Sequence, residues 1–168
     1  MQLINIEKSR YRRHLNRLII GSIAFLLLSS LGISSLLILI MSQDGQDNFM
    51  LNISGVIVGS AIIISVVTLN KHHPWMREIY YVWRLKMELN FINRKLRFIE
   101  KAAAEHDITA LVVLHFSYRA SRQLWTLDDN TISIDTLTDK EQRLDSTIAT
   151  LNLPVDSDKY QRTMLKSF

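Results

Sequence analysis

The sequence contains no cysteine, and two long apolar stretches contain no ionisable residue. Without cysteine the chain forms no disulfide, uses no thiolate chemistry and builds no Cys-based zinc site. Residues 18–41 and 49–69 lack Asp, Glu, Lys, Arg and His. Because ionisable groups inside a membrane mark ion pathways and proton relays, their absence argues against a proton-coupled carrier or pump.

The two uncharged stretches are long enough to cross a lipid bilayer. They contain 24 and 21 residues, so as helices they extend roughly 36 and 32 Å, against a hydrocarbon core of about 30 Å. A cleaved signal peptide has an apolar region of only about 7–15 residues. In a soluble bundle, the rest of this short chain would not cover the apolar surface of two such helices. The sequence therefore predicts a transmembrane hairpin with helices at 18–41 and 49–69.

Positive charge flanks this hairpin and is absent from its connecting loop. Residues 1–17 hold five Lys or Arg against one Glu, whereas the loop 42–48 holds Asp44 and Asp47 and no cation. The positive-inside rule then places both termini in the cytoplasm and the loop outside, with Gly45 permitting the turn. The predicted organisation is a basic cytoplasmic segment at 1–17, the hairpin at 18–69 and a cytoplasmic helical domain at 70–168.

Small residues in both stretches predict how the two membrane helices pack. Gly55 and Gly59 form a GxxxG pattern, and Ser29 and Gly32 fall on one face of the first helix. In lipid, helices associate where small side chains let backbones approach closely. The pattern fits packing of the two spans within one chain, and it also fits self-association between chains.

Pro74 separates the hairpin from the rest of the chain, because proline lacks the N–H that a continuing helix needs. We expect the second span to end near His72 and a new helix to start with Pro74 at its first position. Aromatic and basic residues then alternate, as in a belt at a membrane interface facing anionic headgroups. The alternative is that the aromatics anchor the helical domain. The set comprises Trp75, Tyr80, Tyr81, Trp83, Arg77 and Arg84.

A heptad-like apolar seam predicts one long helix from about Pro74 to Glu105. Its members follow a 3-4 spacing, which places them on one helix face. Either a helix of the same chain or another copy of the protein must cover this face. The seam consists of Val82, Leu85, Leu89, Ile92, Leu96 and Ile99, with Ala103 at its end.

Two further helices complete the predicted cytoplasmic domain. One runs from about Ile108 to Leu127 with Asp107 as its N-cap and apolar residues on two faces, as expected of a central helix. Another opens with Thr138 and Glu141 in a capping-box pattern and stops before Pro154. The predicted fold class is therefore all-α, a two-helix transmembrane hairpin followed by a small, roughly three-helix domain.

No motif in the sequence predicts catalysis, and we expect no cofactor and no metal. The acidic segment 128–135 lacks the spacing of a calcium loop. His72 and His73 have no visible third ligand, and His115 lies among apolar residues. A basic face on the Pro74–Glu105 helix contains four Glu among its cations, so anionic lipid or solvent is expected there and nucleic acid is not.

Three segments resemble a known family: 10-RYRRHLNRLIIG-21, 73-HPWMREIYYVWRLKMELNFINRKLRFIE-100 and 124-LWTLDDNT-131. Together they are similar to a gammaproteobacterial family of short two-span inner-membrane proteins described as a domain of unknown function. The resemblance covers most of the chain. It implies two membrane spans and a cytoplasmic helical domain, and it carries no activity, ligand or catalytic residue.

These observations predict a non-enzymatic inner-membrane protein that acts through its cytoplasmic helices. Its expected partners are the lipid bilayer and a protein, which is either a different chain or another copy of this one. The alternative function is a subunit of a small oligomeric channel or transport complex.

Overall fold

The computed structural model describes residues 1–41, 48–130 and 134–168. Within these ranges the regular elements are all helical, which confirms the predicted all-α class. The predicted turn at Gly45 and most of the loop 42–48 lie outside the described residues, as do positions 131–133 of the acidic segment. The α-helices are α1 (Lys8–Met41), α2 (Phe49–Leu69), α3 (Arg77–Arg94), α4 (Leu96–Ala104), α5 (Ile108–Leu127) and α6 (Ile134–Thr150). Short 3-10 helices span Pro74–Met76, Ser157–Lys159 and Arg162–Ser167.

The chain divides into two compact units. One, called here the hairpin unit, contains residues 9–79. The other, the helical unit, combines residues 1–8 with residues 80–168. The N-terminal residues therefore belong to the same unit as the C-terminal half of the sequence.

The hairpin unit consists mainly of α1 and α2, which are both long and apolar enough to cross a membrane. α2 begins at Phe49 and ends at Leu69, the two ends of the second uncharged stretch. α1 begins at Lys8, ten positions before the predicted start at Leu18. Arg, Lys and Leu are good helix formers, and a helix already nucleated by a long apolar stretch extends readily into such a segment.

The connection after α2 differs from the prediction. α2 ends at Leu69 rather than near His72, and Thr68 and Val66 carbonyls accept the last backbone N–H groups. Pro74 occupies the first position of a 3-10 helix whose N-cap is His73. The His73 Nδ1 accepts a hydrogen bond from the Trp75 backbone N–H at 3.2 Å.

The helical unit is built around α5, which packs against both α4 and α6. The range of α5 and its N-cap agree with the prediction, since the Asp107 carboxylate accepts a hydrogen bond from the Ala110 N–H at 2.8 Å. Nine α5 residues are buried, more than in any other described helix: Ala110, Leu111, Val112, Val113, Leu114, Phe116, Ser117, Ala120 and Leu127.

The single helix predicted from Pro74 to Glu105 is wrong, because it breaks at Lys95. This residue has φ −114° and ψ 7°, and its N–H bonds to the Ile92 carbonyl three residues back. Its side-chain ammonium donates to the Leu165 carbonyl at 2.7 Å. This contact joins Lys95 to the C-terminal 3-10 helix. A periodic pattern in the sequence does not reveal a contact between residues so far apart.

The predicted capping box of α6 is also wrong. α6 begins at Ile134, so Thr138 lies inside the helix and its hydroxyl donates to the Ile134 carbonyl at 2.8 Å. Glu141 instead accepts from the Arg122 Nε at 2.7 Å, and Arg122 Nη2 donates to the Thr138 hydroxyl at 2.9 Å. The two residues thus connect α6 to α5, and this long-range use overrides their local capping signature.

Candidate functional site

In the hairpin unit, Gly55 and Gly59 lie where α2 comes closest to α1. Both glycines are buried. A Cβ built on Gly55 would meet the Ser34 hydroxyl and, at 2.6 Å, the Ser30 carbonyl oxygen; one on Gly59 would meet the Ser29 hydroxyl at 2.7 Å. The two glycines therefore allow a backbone approach that any larger residue would prevent.

On α1, the residues that meet these glycines are only partly those predicted. Ser29 faces Gly59, but no atom lies within 4 Å of the position that a Cβ on Gly32 would take, so Gly32 is not at the contact. Ser34 takes the place predicted for Gly32, and its hydroxyl donates to the Asn52 carbonyl of α2 at 3.2 Å. Ser30 and Ser34 are four residues apart, as are Gly55 and Gly59. Small residues at this spacing lie on one face of each helix, so the pattern in the sequence could have predicted the contact surface.

A buried carboxylate lies at the end of the hairpin unit where α1 begins. Glu78 is buried, and its Oε1 accepts a hydrogen bond from the Arg10 Nε at 2.6 Å. His14 Nδ1 is 3.8 Å from the other carboxylate oxygen, and the His14 ring lies 5.3 Å from the Trp75 ring. Since a buried carboxylate needs a cationic partner, this cluster fixes the start of α1 against the residues that come after α2.

The six predicted interface residues do not behave as one set. Trp75 is half-buried in the hairpin unit, and Arg77 and Arg84 are exposed. Tyr80 stacks on the exposed Trp83 with ring centroids 5.8 Å apart. Tyr81 instead packs against the core of the helical unit. For this residue the structure agrees with the alternative prediction, that the aromatics anchor the helical domain.

Tyr81 holds the N-terminal segment in place. Its hydroxyl accepts from the Ile4 N–H at 3.1 Å and donates to Gln123 Oε1 at 3.1 Å, and the Gln123 amide donates back to the Ile4 carbonyl. Burial raises the pKa of the Tyr81 hydroxyl, while the bonds to Ile4 and Gln123 lower it in part. Lys8 adds an ion pair with Asp129.

The heptad seam is covered from within the chain. Leu96 is half-buried, the other members are buried, and most of the seam belongs to the same core as α5. Of the two partners that the sequence left open, the structure provides the helix of the same chain. The seam is therefore not a free surface for another copy.

A second buried carboxylate lies in the helical unit. Glu88 is buried and accepts hydrogen bonds from the Tyr160 hydroxyl at 3.2 Å and from Arg162 Nη2 at 2.7 Å. Burial, and after it the adjacent Glu88 charge, raise the pKa of Tyr160 far above its usual range. The hydrogen bonds that Arg162 donates to Glu88 raise the pKa of the Arg162 guanidinium. No feature of the sequence pairs these residues, which are more than 70 positions apart.

An open groove crosses α5 between α4 and α6, and we call it the α5 groove. Two adjoining hollows of about 290 and 270 Å³ share Tyr118 and Lys140. Ala103, Leu111 and Leu144 make one end apolar, with His106 and Arg143 beside them. Lys140 also lies 3.9 Å from Glu100. Burial, and then Glu100, raise the pKa of the Tyr118 hydroxyl.

The remaining histidine singled out in the sequence, His115, faces α6. Its Nε2 is 3.6 Å from Asp145. Burial, and then Arg119, lower the pKa of the imidazole against the opposing effect of Asp145. Within residues 1–41, 48–130 and 134–168, no three His, Asp or Glu side chains come together as metal ligands would.

Comparison with known proteins gives one result. Neither curated proteins nor solved structures match the chain significantly. A family model matches residues 1–165, which cover both units. The chain belongs to the family described as protein of unknown function DUF3087.

Proposed function

We propose that this chain is an integral protein of the bacterial inner membrane whose cytoplasmic helical unit serves as a non-enzymatic interaction module. The exposure of α1 and α2 carries the membrane part of the proposal. In the most apolar 18-residue stretch of each helix, only 6% of the residues of α1 and 11% of those of α2 are buried. Leu28, Leu39 and Leu69 are 75–82% exposed. An apolar surface of this extent is stable in hydrocarbon and unfavourable in water.

The division into units supports placing both termini on one side of the membrane. Residues 1–8 fold with residues 80–168, through contacts such as those of Ile4 with Tyr81 and Gln123. If residues 9–79 contain two spans, the chain leaves the helical unit, crosses twice and returns to it. The basic residues before Leu18 and the absence of cations in the loop 42–48 favour the cytoplasm as that side.

Membrane fractionation and topology reporters test this part. We expect the protein to remain with membranes after alkaline carbonate extraction. A phosphatase inserted at Gly45 should be active, and a C-terminal fluorescent protein should fluoresce. Full-length protein that stays soluble without detergent, or a reporter at Gly45 that is active only in the cytoplasm, would contradict the proposal.

The α5 groove supports the interaction part. It is open, its apolar end is lined by Ala103, Leu111 and Leu144, and its lining also includes the cations Lys140 and Arg143. Apolar grooves with cationic edges suit a helical or extended segment that carries a carboxylate. The heptad seam is covered by the rest of the helical unit and offers no such groove.

Site-specific photocrosslinking in cells tests the groove as a binding surface. A photoreactive residue at Tyr118 should give a crosslinked product of one defined mass, and the same residue at the exposed Ser146 of α6 should not. Co-expression of two differently tagged copies shows whether the product is a homodimer. Equal labelling from both positions, or only monomer from Tyr118, would count against the groove.

The GxxxG pair gives no support to assembly of several chains through their spans, whether for self-association or for a channel. Gly55 and Gly59 contact α1 of the same chain, so this GxxxG pair is not available to join neighbouring subunits.

A further inference from the structure

An apolar cleft opens between α1 and α2 at the end of the hairpin unit that carries the basic residues. It has a volume of about 270 Å³, several times the roughly 30 Å³ that one water molecule occupies in the liquid. Its walls are almost entirely apolar. They are formed by Arg17, Leu18, Gly21, Ser22, Phe25, Ile62, Ile63, Val66, Val67 and Trp75.

The cleft results from the side chains that the two helices present to each other. Gly59 and Ser29 permit close approach. Nearer the basic end, Phe25 and Ile62 replace these small residues, so the backbones cannot stay as close. Gly21 leaves the space on the α1 side unfilled, since nothing lies within 4 Å of the position its Cβ would take.

Trp75 lines both this cleft and a second hollow beside it. That hollow measures about 230 Å³ and shares Leu18, Val66, Val67 and Trp75 with the first. It extends the apolar surface toward Asn70 and His73. The indole therefore borders both apolar spaces, and the second one also has polar groups in its lining.

The mouth carries a positive charge. Arg17 lines the cleft one helical turn before Gly21 and is exposed. None of the described residues that line either hollow is acidic. A guanidinium offers paired donors that match phosphate oxygens, and arginine at the edge of a bilayer interacts favourably with anionic headgroups.

We propose that this cleft is a binding site for an anionic phospholipid, with one acyl chain between α1 and α2 against Trp75 and the phosphate on Arg17. The site rests on the proposed membrane insertion. An apolar cleft within a membrane span is filled by hydrocarbon, and the cation at its mouth selects lipids whose headgroup has a net negative charge.

Quenching of Trp75 by brominated lipid tests the site. The full chain, with Trp83→Phe and Trp125→Phe so that Trp75 is the single indole, is reconstituted into phosphatidylcholine vesicles. Either phosphatidylglycerol or phosphatidylcholine with brominated acyl chains is then added at equal mole fraction. We expect a relative lipid binding constant about fivefold higher for the anionic lipid, the gain typical of one cation at an anionic surface.

Two pairs of variants separate a defined site from general attraction of anionic lipid. Arg17→Gln should abolish the preference, and Arg13→Gln, which removes an exposed cation one turn away from the cleft, should retain most of it. Gly21→Leu should fill the cleft and reduce quenching by both lipids. Gly32→Leu, at the other glycine of α1 with open space around it, should leave quenching unchanged.

The outcomes distinguish this site from the membrane proposal itself. Protein that floats with the vesicles but is quenched equally by both lipids overturns the anionic site alone. Equal losses from Arg13→Gln and Arg17→Gln, or from Gly21→Leu and Gly32→Leu, overturn it as well. Protein that does not float with vesicles overturns both proposals.

Discussion

At the residue scale, Gly55 and Gly59 differ in what a methyl group would displace. At Gly55 the obstacle includes the Ser30 backbone carbonyl, whereas at Gly59 it is the Ser29 hydroxyl, which can rotate away. We expect Gly55→Ala to force α1 and α2 apart and to lower the free energy of unfolding by about 1–3 kcal/mol, as overpacking usually does. Gly59→Ala should cost less.

Reversible unfolding in mixed micelles, followed by circular dichroism, measures this difference. Gly32→Ala is the matched control, because the space around Gly32 is open, and it should have no effect. If Gly32→Ala destabilises the protein as much as Gly55→Ala, the assigned contact surface is wrong.

Tyr160 should make the helical unit sensitive to alkali. The pKa of its hydroxyl is raised in the folded state, chiefly by burial and then by Glu88. Because the hydroxyl holds its proton more tightly in the folded state, its contribution to stability is complete below the unfolded pKa of 10.0. This contribution is lost as the pH rises from there toward the folded pKa. Because the unfolded chain releases this proton first, alkali favours unfolding. We expect Tyr160→Phe to reduce the fall in melting temperature between pH 8 and pH 11.

The control is Tyr80→Phe, since Tyr80 stacks on the exposed Trp83. It should retain the alkaline fall of the unmodified protein. A Tyr160→Phe variant with the same alkaline fall would show that ionisation of this hydroxyl does not limit stability.

At the element scale, sequence patterns located the helices whose ends are determined locally. α2 ends where its apolar stretch ends, and α5 begins at an N-cap whose acceptor is in the sequence itself. The break at Lys95 and the start of α6 depend on contacts with Leu165 and Arg122. Both contacts join distant parts of the chain, so periodicity could not predict them.

The N-cap of α5 is the local feature that a substitution tests most directly. Asp107→Ala removes the acceptor of the Ala110 N–H, and losses of this kind cost about 0.5–2 kcal/mol. Urea or thermal unfolding should show this loss. Asp139→Ala, which removes an exposed carboxylate from α6, should cost little; equal losses would indicate an effect of net charge rather than of capping.

At the scale of the whole molecule, the candidate sites were predictable only in part. Glycine spacing identified Gly55 and Gly59, whereas Trp75 was predicted only as one aromatic of a membrane-interface belt and not as part of a cleft. The role of Ser34, the pairing of Glu88 with Tyr160 and the docking of residues 1–8 were not predicted. Each depends on which surfaces meet after the chain folds back on itself, and a pattern within one segment does not contain that information.

The docking of residues 1–8 on the helical unit is the contact on which the same-side placement of the termini depends. Tyr81→Phe removes the acceptor of the Ile4 N–H, so we expect amide hydrogen exchange in residues 1–8 to accelerate about 2–10-fold, as for the loss of one hydrogen bond. Exchange in α5 should not change. Tyr118→Phe, which removes a hydroxyl in the α5 groove, should leave residues 1–8 protected. If Tyr81→Phe also left them protected, another contact would hold the segment; if they exchanged freely without any substitution, the N-terminal segment would not belong to the helical unit, and the two ends of the hairpin would no longer be tied to the same side of the membrane.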